Sequence, residues 1–250
     1  MTDSETLNRY MVEEGRKFGY ESITAEFGEF SNMVIRWNRT NRWIRISVSD
    51  FLEDAPDEII RSLSHVLFEQ ICGRRSRYPK ELVEWLTAPD FIKNHRQTFI
   101  ERNAGMSRST KGEHKDLADS YKRLLDEGLI EDDPEVFITW TNTKIENNYT
   151  QYSVLMKTIA VTDLLDDPEV PDYVLDWLIY HDMCVIASGY DPTKTKKTVP
   201  TKVAERFDKM YEAIGFLNWF FDVEPEDEGD EDAEEDECEE DDADDEDIKW

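Results

Sequence analysis

Bases are scarce in this chain. Against 58 Asp and Glu there are 29 Lys and Arg in 250 residues, a formal charge of -29. Such a balance argues against general affinity for nucleic acid, because phosphates are repelled at long range. Histidines number 4 and cysteines 3. The cysteines, Cys72, Cys184 and Cys238, show no CxxC spacing, so neither a disulfide framework nor a cysteine zinc finger is expected, and a reducing compartment fits. No stretch approaches the roughly 18 to 20 uninterrupted apolar residues of a membrane span. The first residues, Met1-Thr-Asp-Ser-Glu5, are polar and acidic, unlike a secretory signal. The chain is therefore expected to be cytoplasmic, with no membrane partner. Neither a P-loop, a GxGxxG nor a Ser-His-Asp set is present.

The acid that is present is unevenly spread. Residues 222–250 carry 20 acidic side chains and one base, Lys249, hence -19; residues 1–221 carry 38 acids and 28 bases, hence -10. A segment so charged and so poor in apolar residues cannot offset its chain entropy, so 222–247 is expected to be disordered. Three roles suit it: a solubilising tail, a recruiter of a basic protein partner, or an internal competitor for basic surface elsewhere in the chain.

The body, 1–221, has ample apolar material for one domain core. A helix over 5–18 and a strand over 20–27 lead into a hairpin: Met33-Val-Ile-Arg-Trp37 and Trp43-Ile-Arg-Ile-Ser-Val48 are β-branched and aromatic, with turn residues between them. Pro56 with flanking acids opens a helix to Ile71, whose core stripe is Ile59, Ile60, Leu63, Leu67 and Ile71. Helices are expected over 79–86, 90–101 and 115–125, strands over 137–141, 152–156 and 158–162, and a last helix over 201–221. No internal repeat is evident. The strongest helix follows Pro171 and carries an apolar face of Val174, Leu178, His181 and Val185, with Gly189 as its cap.

At that helix the sequence Val170-Pro-Asp-Tyr-Val-Leu-Asp-Trp-Leu-Ile-Tyr180, followed by His-Asp-Met-Cys-Val at 181–185, resembles the SprT-like and YgjP-like zinc metallopeptidases, archaeal type. Their motif typically reads V-P-x-x-V-x-x-x-x-x-H-E-x-x-H. The hairpin and Val48-Ser-Asp-Phe-Leu-Glu-Asp-Ala-Pro-Asp-Glu-Ile-Ile60 look like the front half of such proteins, so the resemblance covers most of 20–221. It implies an α+β, zincin-like domain over 1–221, a small antiparallel sheet packed on helices with a helical insert around 74–130, followed by the acidic tail 222–250.

The motif's chemistry is incomplete. Two histidines one turn apart bind zinc, and the glutamate beside the first activates the bound water. Carried across by the resemblance, His181 matches the first ligand, Asp182 stands for the glutamate, Met183 and Cys184 fill the spacer, and Val185 stands where the second histidine belongs. In relatives the third ligand is a histidine before the last helix; here Val199 or Pro200 occupies that stretch. Valine does not ligate zinc, so no cofactor is expected and His181 and Asp182 read as vestigial. His181 then reads as a core imidazole; a metal shared with Cys184, three residues on, is the alternative, with zinc as cofactor in an atypical active peptidase.

On the hairpin, Arg36, Arg39, Arg42 and Arg45 cluster with Trp37 and Trp43. Phosphate contacts plus stacking faces is the combination that single-stranded nucleic acid binding uses. A solvated face with inward-packed tryptophans is the other reading. The leading expectation is a catalytically degenerate peptidase-like module that binds another macromolecule; an SprT-related nucleic-acid-associated protein is the further alternative.

Overall fold

The computed structural model describes residues 2–74, 76–143, 149–191, 199–221 and 245–249. The chain is α+β and divides into two compact units rather than the single domain expected. Unit 1 is Met1–Arg102 with Asp191–Thr195 and Glu239–Trp250; unit 2 is Asn103–Tyr190 with Lys196–Cys238. Among the described residues no helix is long and apolar enough to cross a membrane.

Unit 1 opens with α1 (Ser4–Lys17), capped by the Asp3 carboxylate, which accepts from the Thr6 N–H at 2.8 Å. Strands β1 (Ser22–Gly28), β2 (Val34–Arg39) and β3 (Trp43–Ser49) follow. The sheet has the order β1-β3-β2-β7, where β7 is Asp245–Lys249. It is mixed, not antiparallel throughout: β1 runs parallel to β3, while β2 is antiparallel to both β3 and β7. Alternation decides its faces. Ile23, Ala25, Ile35, Trp37, Ile44, Ile46 and Val48 are buried, whereas Thr24, Arg36 and Arg45 are exposed. After a 3-10 turn at Asp50–Leu52, Pro56 caps α2 (Asp57–Ile71), whose predicted stripe is buried throughout. Helices α3 (Lys80–Leu86) and α4 (Pro89–Arg102) complete the unit, and Arg102 ties the end of α4 to the 3-10 turn through the Asp50 carboxylate.

Unit 2 opens with α5 (Leu117–Asp126), capped by Asp116 and closed by Gly128 at φ +69°. Strands β4 (Phe137–Thr141), β5 (Thr150–Ser153) and β6 (Thr158–Thr162) form a sheet of order β4-β6-β5, β4 parallel and β5 antiparallel to β6. The expected strand over 152–156 thus lies earlier. A 3-10 turn at Asp163–Leu165 leads to Pro171, which caps α6 (Asp172–Ala187). The single last helix expected over 201–221 is two, α7 (Thr201–Ala204) and α8 (Met210–Phe220). The turn between them lets Phe207 bury its ring against Trp177 and Tyr180, each 5.8 Å away, a gain that a continuous helix would forgo.

The same arrangement therefore occurs twice: helix, three strands with the third between the first two, 3-10 turn, proline-capped helix. The likeness reaches side chains. Val48-Ser-Asp-Phe-Leu-Glu-Asp54 matches Val161-Thr-Asp-Leu-Leu-Asp-Asp167, and Pro56-Asp57 matches Pro171-Asp172. Asp57 accepts from the Tyr10 and Thr2 hydroxyls, while Asp172 accepts from Lys115, all three donors lying on or just before the first helix of their own unit. Arg123 also lies 3.8 Å from Asp172. The expectation of no repeat is corrected. The stretch around 74–130, expected as a helical insert, holds α3 and α4 at the end of unit 1 and α5 at the start of unit 2.

Candidate functional site

Two places were marked by the sequence, the His181 helix and the basic hairpin. Helix α6 is the core of unit 2, and only a minority of its residues escape burial. Its apolar surface is wider than the expected stripe of Val174, Leu178, His181 and Val185, taking in Leu175, Ile179, Tyr180, Met183 and Ile186.

His181 is partly exposed, its ring 5.7 Å from Trp177, and its Nδ1 lies 3.0 Å from Asp182 Oδ1. Asp182 is 1 % exposed and its Oδ2 is buried without a partner. Asp182, standing where the motif has glutamate, is thus paired with His181. Asp176, five residues before His181, is buried under a two-pronged bond from Arg123, with Nε to Oδ2 at 2.9 Å and Nη2 to Oδ1 at 2.7 Å. Cys184 is half-buried. Burial pushes its thiol up despite the Tyr180 hydroxyl, so it is a poor thiolate donor. Burial likewise raises Tyr180, to about 12, and its hydroxyl donates to the Val203 carbonyl. Val185 is buried, Val199 packs against the core, and Pro200 caps α7. Among the described residues no group of three or more His, Cys, Asp or Glu is placed to hold a metal. A cleft of about 580 Å³ in this unit is lined by Leu129, Asp132, Met183, Cys184, Ser188 and Arg206, and takes in neither His181 nor Asp182.

The V-P-x-x-V framework has a packing explanation. In both units a proline caps the helix and the residues three and four further on, Ile59 and Ile60 or Val174 and Leu175, enter the core. Counted from the prolines, the positions of His181 and Asp182 are held in unit 1 by Val66 and Leu67, both buried and apolar. The arrangement folds without any ligating side chain there.

The hairpin residues divide by face. Trp37 is buried, so it is a core residue and no stacking platform. Arg39 is half-buried, with Nη1 3.4 Å from the Tyr20 hydroxyl. Arg42 sits exposed in the turn. The open face carries Trp43, 40 % exposed, with Arg45 and Arg36. Arg36 lies over the Phe30 ring at 4.9 Å, and the register puts Arg36 opposite Ser47 and Asn38 opposite Arg45.

What sequence reasoning missed is the strand at the end of the acidic run. Disorder is expected over 222–247; residues 222–244 lie outside the described residues, and the expectation is corrected at 245–247, since Asp245–Lys249 form β7, paired antiparallel along the edge of β2. The register runs Val34 to Lys249, Ile35 to Ile248, Arg36 to Asp247, Trp37 to Glu246 and Asn38 to Asp245. Directly opposite residues in such a ladder have Cβ atoms about 5 Å apart, and opposite charges there are favourable. The single signal for it in the sequence is one β-branched residue, Ile248, among acids. Comparisons with protein-family models, curated proteins and solved structures return no match.

Proposed function

We propose that this protein is a binding module without peptidase chemistry, whose unit 1 sheet accepts an extended acidic strand along the edge of β2, its own β7 being the resident occupant. One observation carries the reading: an acidic strand is paired over five residues of β2, with Asp247 opposite Arg36. Of the three roles open to the tail, internal competition for the basic hairpin is the one this supports. The resemblance to SprT-like peptidases fits as a degenerate relative, with Val185 in place of a ligand and His181 left as a partly buried ring.

The occupant favours polypeptide over nucleic acid. Strand addition draws its affinity from main-chain hydrogen bonds at a sheet edge, which a phosphodiester chain cannot supply. Arg36, Arg45 and Trp43 then select for acid and for an apolar or aromatic side chain on the open face.

The test uses the full chain. Ile248→Pro places a proline inside the strand and should release β7 while leaving both cores intact. A fluorescent peptide of residues 239–250 should bind this variant, more weakly as salt rises. Wild type should bind it at least about tenfold more weakly, because a tethered occupant competes at roughly millimolar effective concentration. Adding Arg36→Glu should abolish binding. A single-stranded oligonucleotide that outcompetes the peptide would transfer the site to nucleic acid, and equal peptide binding by wild type and variant would reject the resident strand.

A further inference from the structure

Helix α8 turns Met210, Ala213 and Leu217 into the core of unit 2, yet its opposite face is also apolar. Tyr211 and Trp219 are 72 % and 73 % exposed, and Ile214 is 37 % exposed. Lone exposed apolar residues are ordinary, but two large aromatics on one helix face, two turns apart, form a patch. Between them, one turn from each, stands Gly215. A Cβ built there meets nothing within 4 Å, so nothing inside the molecule requires a glycine. Glycine in a helix interior costs about 1 kcal/mol relative to alanine. A bare backbone flanked by two exposed aromatic ridges is what close approach of a second element uses.

We propose that the Tyr211–Gly215–Trp219 face of α8 is a docking surface for a basic amphipathic helix of another protein. Charge selects this occupant. The residues that follow α8 directly in the chain, 222–238, carry 12 acids and no base, and at its start Asp208 and Glu212 lie exposed with the single base Lys209. A second copy would carry the same acidic run after its own α8, and like charge opposes that pairing. A cationic helix gains from the same field, in rate of encounter above all. The aromatics supply the anchors that dominate interface energy, and Gly215 the notch into which the partner backbone settles. This site is separate from the β2 edge, and it stands if the resident strand does not.

Anisotropy of a labelled 18-residue Leu/Lys amphipathic peptide, titrated with the full chain, measures it. Binding should exceed that of oligolysine of equal charge, and the Leu/Glu peptide of the same pattern should not bind. Trp219→Ala and Gly215→Leu should each weaken binding at least about tenfold, while Gly215→Leu leaves the melting temperature unchanged or higher, which separates docking from folding. Oligolysine binding as tightly as the Leu/Lys peptide, or indifference to both substitutions, would overturn the proposal by reducing it to attraction by the acidic run. Sedimentation as a dimer that Gly215→Leu dissociates would overturn it in favour of a second copy.

Discussion

Asp166 shows how much of this molecule is decided between residues far apart in sequence. Its carboxylate accepts backbone N–H bonds from Glu113, from His114 at 3.0 Å and from Lys115 at 2.8 Å. Burial acts to raise its pKa, but the three donors outweigh it and hold Asp166 below the usual carboxylate range. Gly112 makes room, since a Cβ there would stand 2.2 Å from Asp166 Oδ2. Because the folded-state pKa is lowered, the stabilisation is fully present above the unfolded value and is lost as pH falls through the folded one. Asp166→Asn should cost about 2 kcal/mol at neutral pH, measured by urea unfolding. The gap to wild type should hold above about pH 5 and close in acid; a gap independent of pH would mean that the charge is immaterial. Nothing local marks Asp166 among 58 acids, for its partners lie more than 50 residues away. The pairing of His181 with Asp182 was equally hidden, because α6 is buried on sides that a single apolar stripe does not foresee.

At the scale of elements the local signals were strong where periodicity and capping agree. The hairpin of β2 and β3, the stripe of α2, the glycine closing α5 and the proline opening α6 all lie where spacing and turn chemistry put them. The break between α7 and α8 was not legible, because helix propensity continues through 205–209 and the gain from seating Phe207 on Trp177 and Tyr180 is tertiary. The repeated arrangement was written in Val48–Asp54 and Val161–Asp167, but unequal loops before Pro56 and Pro171 obscure it. The seam between α5 and α6 gives a prediction at this scale. Asp176 is buried beneath a partly exposed Arg123, so Arg123→Ala leaves a buried carboxylate without its partner and should destabilise unit 2 by about 2 to 3 kcal/mol in thermal or denaturant unfolding. Arg123→Lys should recover part of that, lacking the second prong. A loss below about 1 kcal/mol for the alanine variant would show that water reaches Asp176.

For the whole molecule, composition separated a mildly acidic body from a polyanionic end, and that division stands as a fact of sequence. It did not reveal that Asp245–Lys249 lie in the sheet of unit 1, because that pairing is to β2, about 200 residues earlier, and the segment has only one β-branched residue to signal a strand. The ladder satisfies an edge that would otherwise be open to other chains. The most direct measurement is amide hydrogen exchange over residues 34–39 in the full chain, wild type against Ile248→Pro. Pairing with β7 predicts that the amides of β2 that point away from β3 are protected in wild type and exchange markedly faster in the variant, while α2 and α6 are unchanged. Identical exchange over 34–39 in the two proteins would contradict the account.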